Sequence, residues 1–224
     1  MLEILIVVVG IFLGLQVDDW NEHRKERAQE TAYLAQLQDD VVTMRSLLDG
    51  LIARAEGREE AMLRVLRALE TCSAEFASET DFQRTFTEYQ NILNVQVLDS
   101  TYNEMLASGA LAGLGHLALR RAIPELFTRL DAFNSTVPQI RGTLPTVDAI
   151  VWENVRLSYD KDGQIVLTEY NFDQLCSKPA VQNAVVEMID MQRDWQNTAN
   201  EVAARVVDLE AQLKKVTGST PASR

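Results

Sequence analysis

Histidine is scarce in this chain, with only His23 and His116 among 224 residues, and cysteine is equally so, with Cys72 and Cys176. Four such residues spread over four regions cannot supply the clustered ligand spacing of a zinc site or a helical His-x-x-x-His pair. Glycine and proline number ten and five, and aromatics make up 7% of the chain. That poverty excludes a turn-rich all-β architecture and a low-complexity chain. Positive charge is short as well: 21 Lys and Arg face 33 Asp and Glu, a formal net charge of −12. A surface so acidic repels phosphate backbones, so no nucleic-acid partner is expected. The one dense basic cluster, His23, Arg24, Lys25 and Arg27, has no interleaved aromatics on which bases would stack.

What the chain does have is a hydrophobic beginning. Residues 4–15 are apolar or glycine without interruption, and the run extends through Gln16 to Val17. Counted from Met1 to Val17, it barely reaches the lower end of the roughly 17–25 residues that cross a bilayer as a helix. A cleaved secretory signal would place basic residues in front and a small-x-small site behind; here Glu3 precedes the run and LQVDDW follows it. A buried helix of a soluble domain would show a polar stripe, and none interrupts Ile4 to Leu15. The reading is a retained transmembrane anchor over residues 1–19. Trp20 is placed to hold the membrane interface, with membrane lipid as its neighbour. Gly10 and Gly14 form a G-x-x-x-G pair at which a second helix could pack closely.

Beyond the anchor, Leu34, Leu37, Val41, Met44, Leu48, Leu51 and Ala55 recur in alternating steps of three and four, the seam of a heptad repeat. The register falters at Arg58, and Gly57 is a point at which the rod could bend. The far end repeats the pattern through Val181, Val185, Met188, Gln192, Trp195, Ala199, Val202, Val206, Leu209, Leu213 and Val216, with Pro179 as a helix start. The expected class is mainly α: a transmembrane helix running into a long helix over 20–72, a helical middle region over 73–178, and a second long helix over 179–216. A loose tail over 217–224 ends the chain. The two long helices are expected to pair antiparallel. A parallel homo-oligomeric coiled coil is the alternative that spacing alone leaves open.

The middle region carries local signals. Thr101 with Glu104 reads as a capping box and Gly109 as a helix stop. Pro124 marks a kink or a first turn in HLALRRAIPELFTRLDAF, and a further helix follows Pro138 or Pro145. Asp162-Gly163 before a β-branched run predicts one short β-hairpin. Cys72 ends the first long helix and Cys176 precedes the last, so an antiparallel pair makes them neighbours and a disulfide between them geometrically sensible. Two buried thiols are the other reading.

The stretches EILIVVVGIFLGLQVDDWNEHRKER (3–27) and STYNEMLASGALAGLGHLALRRAIPEL (100–126) resemble the two marked regions of a large family of uncharacterised bacterial single-span proteins. Its members carry a span ending in a GILIALQxxxWNE-like pattern, and later a TYxxLxxSG-like helix before one that opens with Leu and Arg. The resemblance implies an inner-membrane protein whose bulk is helical and periplasmic. Charge bias points the other way, because the basic residues follow the span.

No catalytic signature accompanies these features. Asp18-Asp19 and Asp39-Asp40 are adjacent on a helix and diverge. There is no G-x-S-x-G and no phosphate-binding G-x-x-x-x-G-K-[ST], and GALAGLG reads as a loop. The expectation is a non-enzymatic interaction protein without cofactors, an accessory or scaffolding subunit whose partners are other subunits of a membrane complex, of respiratory or photosynthetic type. A membrane-anchored sensor that binds a ligand in the middle region and signals through the rod is the alternative.

Overall fold

The computed structural model describes residues 2–218, and side chains from residue 16 onward. The protein is mainly helical with one small antiparallel sheet. Helix α1 spans Leu2–Thr71 and α8 spans Pro179–Thr217. Between them lie α2 (Glu79–Glu88), α3 (Ser100–Ala107), α4 (Ala110–Gly113), α5 (Leu117–Ile140), α6 (Leu144–Asn154), strands β1 (Val155–Tyr159) and β2 (Ile165–Tyr170), and α7 (Phe172–Cys176). Neither Gly57 nor Pro124 interrupts its helix, whereas Pro145 does stand in the first turn of α6. The hairpin turn has Gly163 at φ +76°, a left-handed conformation that favours glycine.

The chain divides into two compact units, each drawing on both long helices. Among the described residues the first comprises 2–43, 98–125 and 208–218; the second comprises 44–97 and 126–207. In the first, Tyr33, Leu34, Leu37 and Val41 of α1 are buried, as are Leu209 and Leu213 of α8. The Thr217 hydroxyl donates to Gln38 Oε1 at 2.7 Å.

In the second unit, Met44, Leu48, Ile52, Ala55, Met62, Val65 and Leu69 of α1 are buried, together with Val185, Met188, Trp195, Val202 and Val206 of α8. Pairing is antiparallel within the chain: Arg58 bonds Gln192, Glu59 bonds Arg193, and Gln182 reaches the Leu69 carbonyl. One seam position is corrected. Leu51 is half-exposed and Ile52 is buried in its place. The reason is helical pitch: a strict heptad drifts about 20° per repeat on a straight helix, and the steps of four from Met44 to Leu48 to Ile52 restore the face.

Arg58, where the seam falters, is buried at 6% exposure. Its Nε donates to Gln192 Oε1 at 3.0 Å and its Nη2 to the Asn91 carbonyl at 3.1 Å. Burial pushes its pKa down, partly offset by Glu88. Trp195, 1% exposed, donates its indole N–H to the Leu93 carbonyl at 2.8 Å and meets Phe133 edge-on at 5.8 Å.

The end of α1 is a Schellman turn: the Ser73 N–H bonds the Ala68 carbonyl and the Cys72 N–H bonds that of Leu69. The position that usually takes glycine is Cys72, at φ +49°. Its sulfur is bonded to that of Cys176, with the Cα atoms 5.4 Å apart.

The expected Thr101/Glu104 capping box is absent. Asp99 is the N-cap of α3 and makes no side-chain cap bond. Thr101 lies inside the helix, buried, and gives its hydroxyl proton to Asp40, while Glu104 accepts from Tyr33. The box that does form opens α2. Ser78 Oγ accepts from the Asp81 N–H, and Asp81 Oδ2 accepts from the Ser78 N–H. Arg64 Nη2 donates to the other Asp81 oxygen at 2.7 Å, and these bonds hold that carboxyl down at about 2. A carboxyl lowered on folding stabilises above its unfolded value of about 4 and stops doing so as pH falls towards 2. Arg64 keeps 45% of its side-chain exposure, which discounts the pair for solvent screening. We expect Asp81→Asn to cost about 1–2 kcal/mol at pH 7 and almost nothing at pH 2. A pH series of urea melts with parallel curves for the two proteins would refute this.

Candidate functional site

Residues 23–33 of α1 and 104–115 of the α3–α4 region come together in the first unit. Tyr33 on α1 donates its hydroxyl to Glu104 on α3 at 3.0 Å and accepts from Gln29 at 3.2 Å. Glu30 Oε1 accepts the Gly115 N–H at 3.0 Å. Gly109, at φ +76°, makes the bend between α3 and α4. A polar cleft of about 550 Å³ lies here, lined by His23, Glu26, Arg27, Glu30, Ser108 and Gly109 among others. Its charges are mixed and partly spent: His23 Nδ1 is 3.2 Å from Glu26, and Arg27 Nε donates to the His23 carbonyl. Trp20 is 60% exposed, and the Arg24 guanidinium carbon stands 5.7 Å from its ring centroid.

The second unit carries a more apolar cleft of about 520 Å³, lined by Phe86, Tyr89, Trp152, Leu157, Tyr159 and Ile165 among others. Helix α2 positions the hairpin beneath it. Phe82 stacks on Tyr170 at 5.0 Å, and Gln83 bonds the β2 backbone through both ends of its amide. Trp152 and Tyr159 stand 65% and 72% exposed, although residues of this size normally bury most of their surface. Below them the Tyr89 hydroxyl donates to Asp148, and Gln90 Nε2 donates to the same oxygen at 2.7 Å. Burial first, then the Asp148 bond, pushes the Tyr89 phenol far above its ordinary value. It keeps its proton at neutral pH and braces the cleft floor. Tyr170, bonded to Glu79, is pushed up to about 12 for the same reasons.

Comparison with known protein families, curated proteins and solved structures finds no match. The surface itself is therefore the guide. Among the described residues no three His, Cys, Asp or Glu side chains are grouped to hold a metal ion. His116 lies in the turn before α5, its carbonyl accepting from the Arg120 N–H, remote in sequence from His23. Of the residues singled out from the sequence, Cys72 and Cys176 are brought together, and the seam residues other than Leu51 and Val216, which are partly exposed, are buried. Gly10 and Gly14 lie outside the residues whose side chains are described. The same holds for most of the apolar run; among the described residues no helix is long and apolar enough to cross a membrane. Trp152 and Tyr159 escaped the sequence reading. Their signal is faint: Trp152 ends an apolar stretch three residues before β1 begins, and Tyr159 ends that strand ahead of the Asp162-Gly163 turn.

Proposed function

We propose that this chain is a non-catalytic protein held at a membrane by its N-terminal apolar run. It works by binding other proteins, as an accessory or scaffolding subunit of a bacterial inner-membrane complex. The observation that carries this reading lies in the first unit: the apolar run and the buried Tyr33, Leu34, Leu37 and Val41 belong to one unbroken helix, α1. A segment fixed in lipid would thereby be rigidly coupled to folded protein. Exposed Trp20, followed by Arg24, Lys25 and Arg27, suits the boundary between bilayer and water.

The Cys72–Cys176 disulfide favours an oxidising compartment, hence a periplasmic bulk. The resemblance of residues 3–27 and 100–126 to single-span bacterial proteins agrees with that orientation. The test is mild-detergent extraction of native membranes, followed by sizing of the particle that carries the chain and identification of its companions. A large particle of fixed composition is expected; a lone chain, or one released by a salt wash without detergent, overturns the proposal. Within the run, Gly10→Ile with Gly14→Ile is expected to shrink that particle by loosening helix contact in the bilayer. An unchanged particle would remove the packing role of the two glycines.

A further inference from the structure

We infer that the outer edge of β1 is a docking site for an extended, basic and apolar segment of a partner protein, which adds to the hairpin as a third strand. The inference deepens the interaction reading above by naming a place and a chemistry.

The hairpin has two outer edges, and they are treated differently. Ladder pairing places Leu157 opposite Leu167, Ser158 opposite Val166 and Tyr159 opposite Ile165. The Asp160 N–H bonds the Gln164 carbonyl, so the alternation of an antiparallel ladder makes 158 and 166 the next mutually bonded pair. The backbone groups of Ile165 and Leu167 therefore face away from β1. Gln83 closes that edge: its Oε1 accepts the Leu167 N–H at 2.8 Å and its Nε2 donates to the Ile165 carbonyl. One side-chain amide does there what a neighbouring strand would do.

By the same alternation, Leu157 and Tyr159 turn their N–H and carbonyl groups outward from β1. Among the described residues nothing outside the hairpin bonds them. Such an edge is usually blunted with a proline, a bulge or a cover. The one register shift, between Arg156 and Leu157, lies before these two residues and leaves both in regular pairing.

The flanks fit an added strand. A strand presents alternate side chains to opposite faces, so its recognition needs a recess on each. The 520 Å³ cleft lies along Leu157, Ser158 and Tyr159, and a second of about 410 Å³ is lined by Val155, Arg156 and Leu157; Trp152 borders both. Charge selects the occupant. The cations of the hairpin each stand beside a carboxylate in a solvent-exposed pair, Arg156 by Glu169 at 3.4 Å and Lys161 by Asp162 at 3.9 Å. Asp148, held by Tyr89 and Gln90 of the 520 Å³ cleft, Glu153, next to Trp152 in sequence, and Asp160 add negative charge to the elements that carry the edge. Asp160 follows the strand with its Oδ1 on the Asp162 and Gln164 N–H groups, and among the described residues no lysine or arginine pairs with any of the three. With the chain at −12 overall, a basic segment is favoured over a second copy of this protein.

The test uses the full chain in mild detergent and a blocked peptide of about eight alternating Lys and Val residues, a length that spans the edge. Binding is read by anisotropy of the labelled peptide. It is expected to weaken about tenfold or more when alternate peptide amides are N-methylated, and likewise with Tyr159→Pro, which removes an outward N–H without touching the β1–β2 ladder. Tyr159→Ala, which keeps that N–H, is expected to lose less. Absence of binding, equal binding of the N-methylated peptide, or equal binding of a Glu-Val peptide overturns the inference. The peptide comparison stands even where a Tyr159 variant misfolds. Concentration-dependent self-association that Tyr159→Pro abolishes would make the occupant a second copy and equally overturn it. Each of these results leaves the membrane-extraction test free to succeed or fail by itself.

Discussion

Leu48→Asp is expected to destabilise the protein by about 4 kcal/mol or more, lowering the melting temperature by about 10 °C. Leu48 is 1% exposed on the inward face of α1. The substitution removes its packing and leaves a carboxylate in an apolar surround. The new carboxyl escapes part of that penalty by staying protonated, so its pKa rises on folding. A carboxyl raised on folding costs most where the unfolded form is ionised, and the defect should therefore be greater at pH 7 than at pH 4. Leu51→Asp is the control. That position is half-exposed, and the cost should fall to about 1 kcal/mol or less. Equal melting curves for the two variants would mean that the seam follows strict heptad spacing after all.

Breaking the Cys72–Cys176 bond is the second large effect. The two residues are separated by 104 positions, and closing a loop of that length restricts the unfolded chain by about 4–5 kcal/mol on an entropic account, with 2–5 kcal/mol the usual measured loss. Cys72→Ala with Cys176→Ala should show that loss in a denaturant titration. Cys72 also occupies a left-handed position that alanine tolerates poorly. Cys72→Gly with Cys176→Ala should recover about 1 kcal/mol of it. Equal stability of native and doubly substituted protein would show that the bond constrains nothing. Equal stability of the two double variants would instead show that the turn ending α1 carries no strain.

The long helices were legible because amphipathic spacing over dozens of residues overrides local ambiguity. In α8 the three-four alternation from Val181 to Leu213 corresponds residue for residue to buried positions, including Gln192. In α1 it slipped at one place, since Leu51 and Ile52 are equally apolar and only helical pitch chooses between them. Pro145 and Asp162-Gly163 marked their elements through backbone constraints that act locally. Thr101 and Glu104 misled because both side chains find stronger partners on α1, and no local rule sees across some 60–70 residues of sequence. The same distance hid the division into two units. The β1 edge was illegible for a further reason: an open edge is a matter of what fails to cover it, and Gln83, which settles the opposite edge, reads in sequence as an ordinary polar helix residue.

Arg58 gives the second unit something that its apolar seam does not. Leucine, valine and methionine repeating every seven residues look alike to a partner helix, so sliding one helix past the other by a heptad, about 10.5 Å, would set apolar residues against apolar residues again. Arg58 tolerates no such slide. Its guanidinium is buried, its acceptors are the neutral Gln192 amide and the Asn91 carbonyl, and one step along α8 would strand a desolvated cation. The residue that spoils the pattern thus works as the notch of a key. It lets the two helices close in one alignment, and in that alignment Cys72 and Cys176 arrive opposite each other.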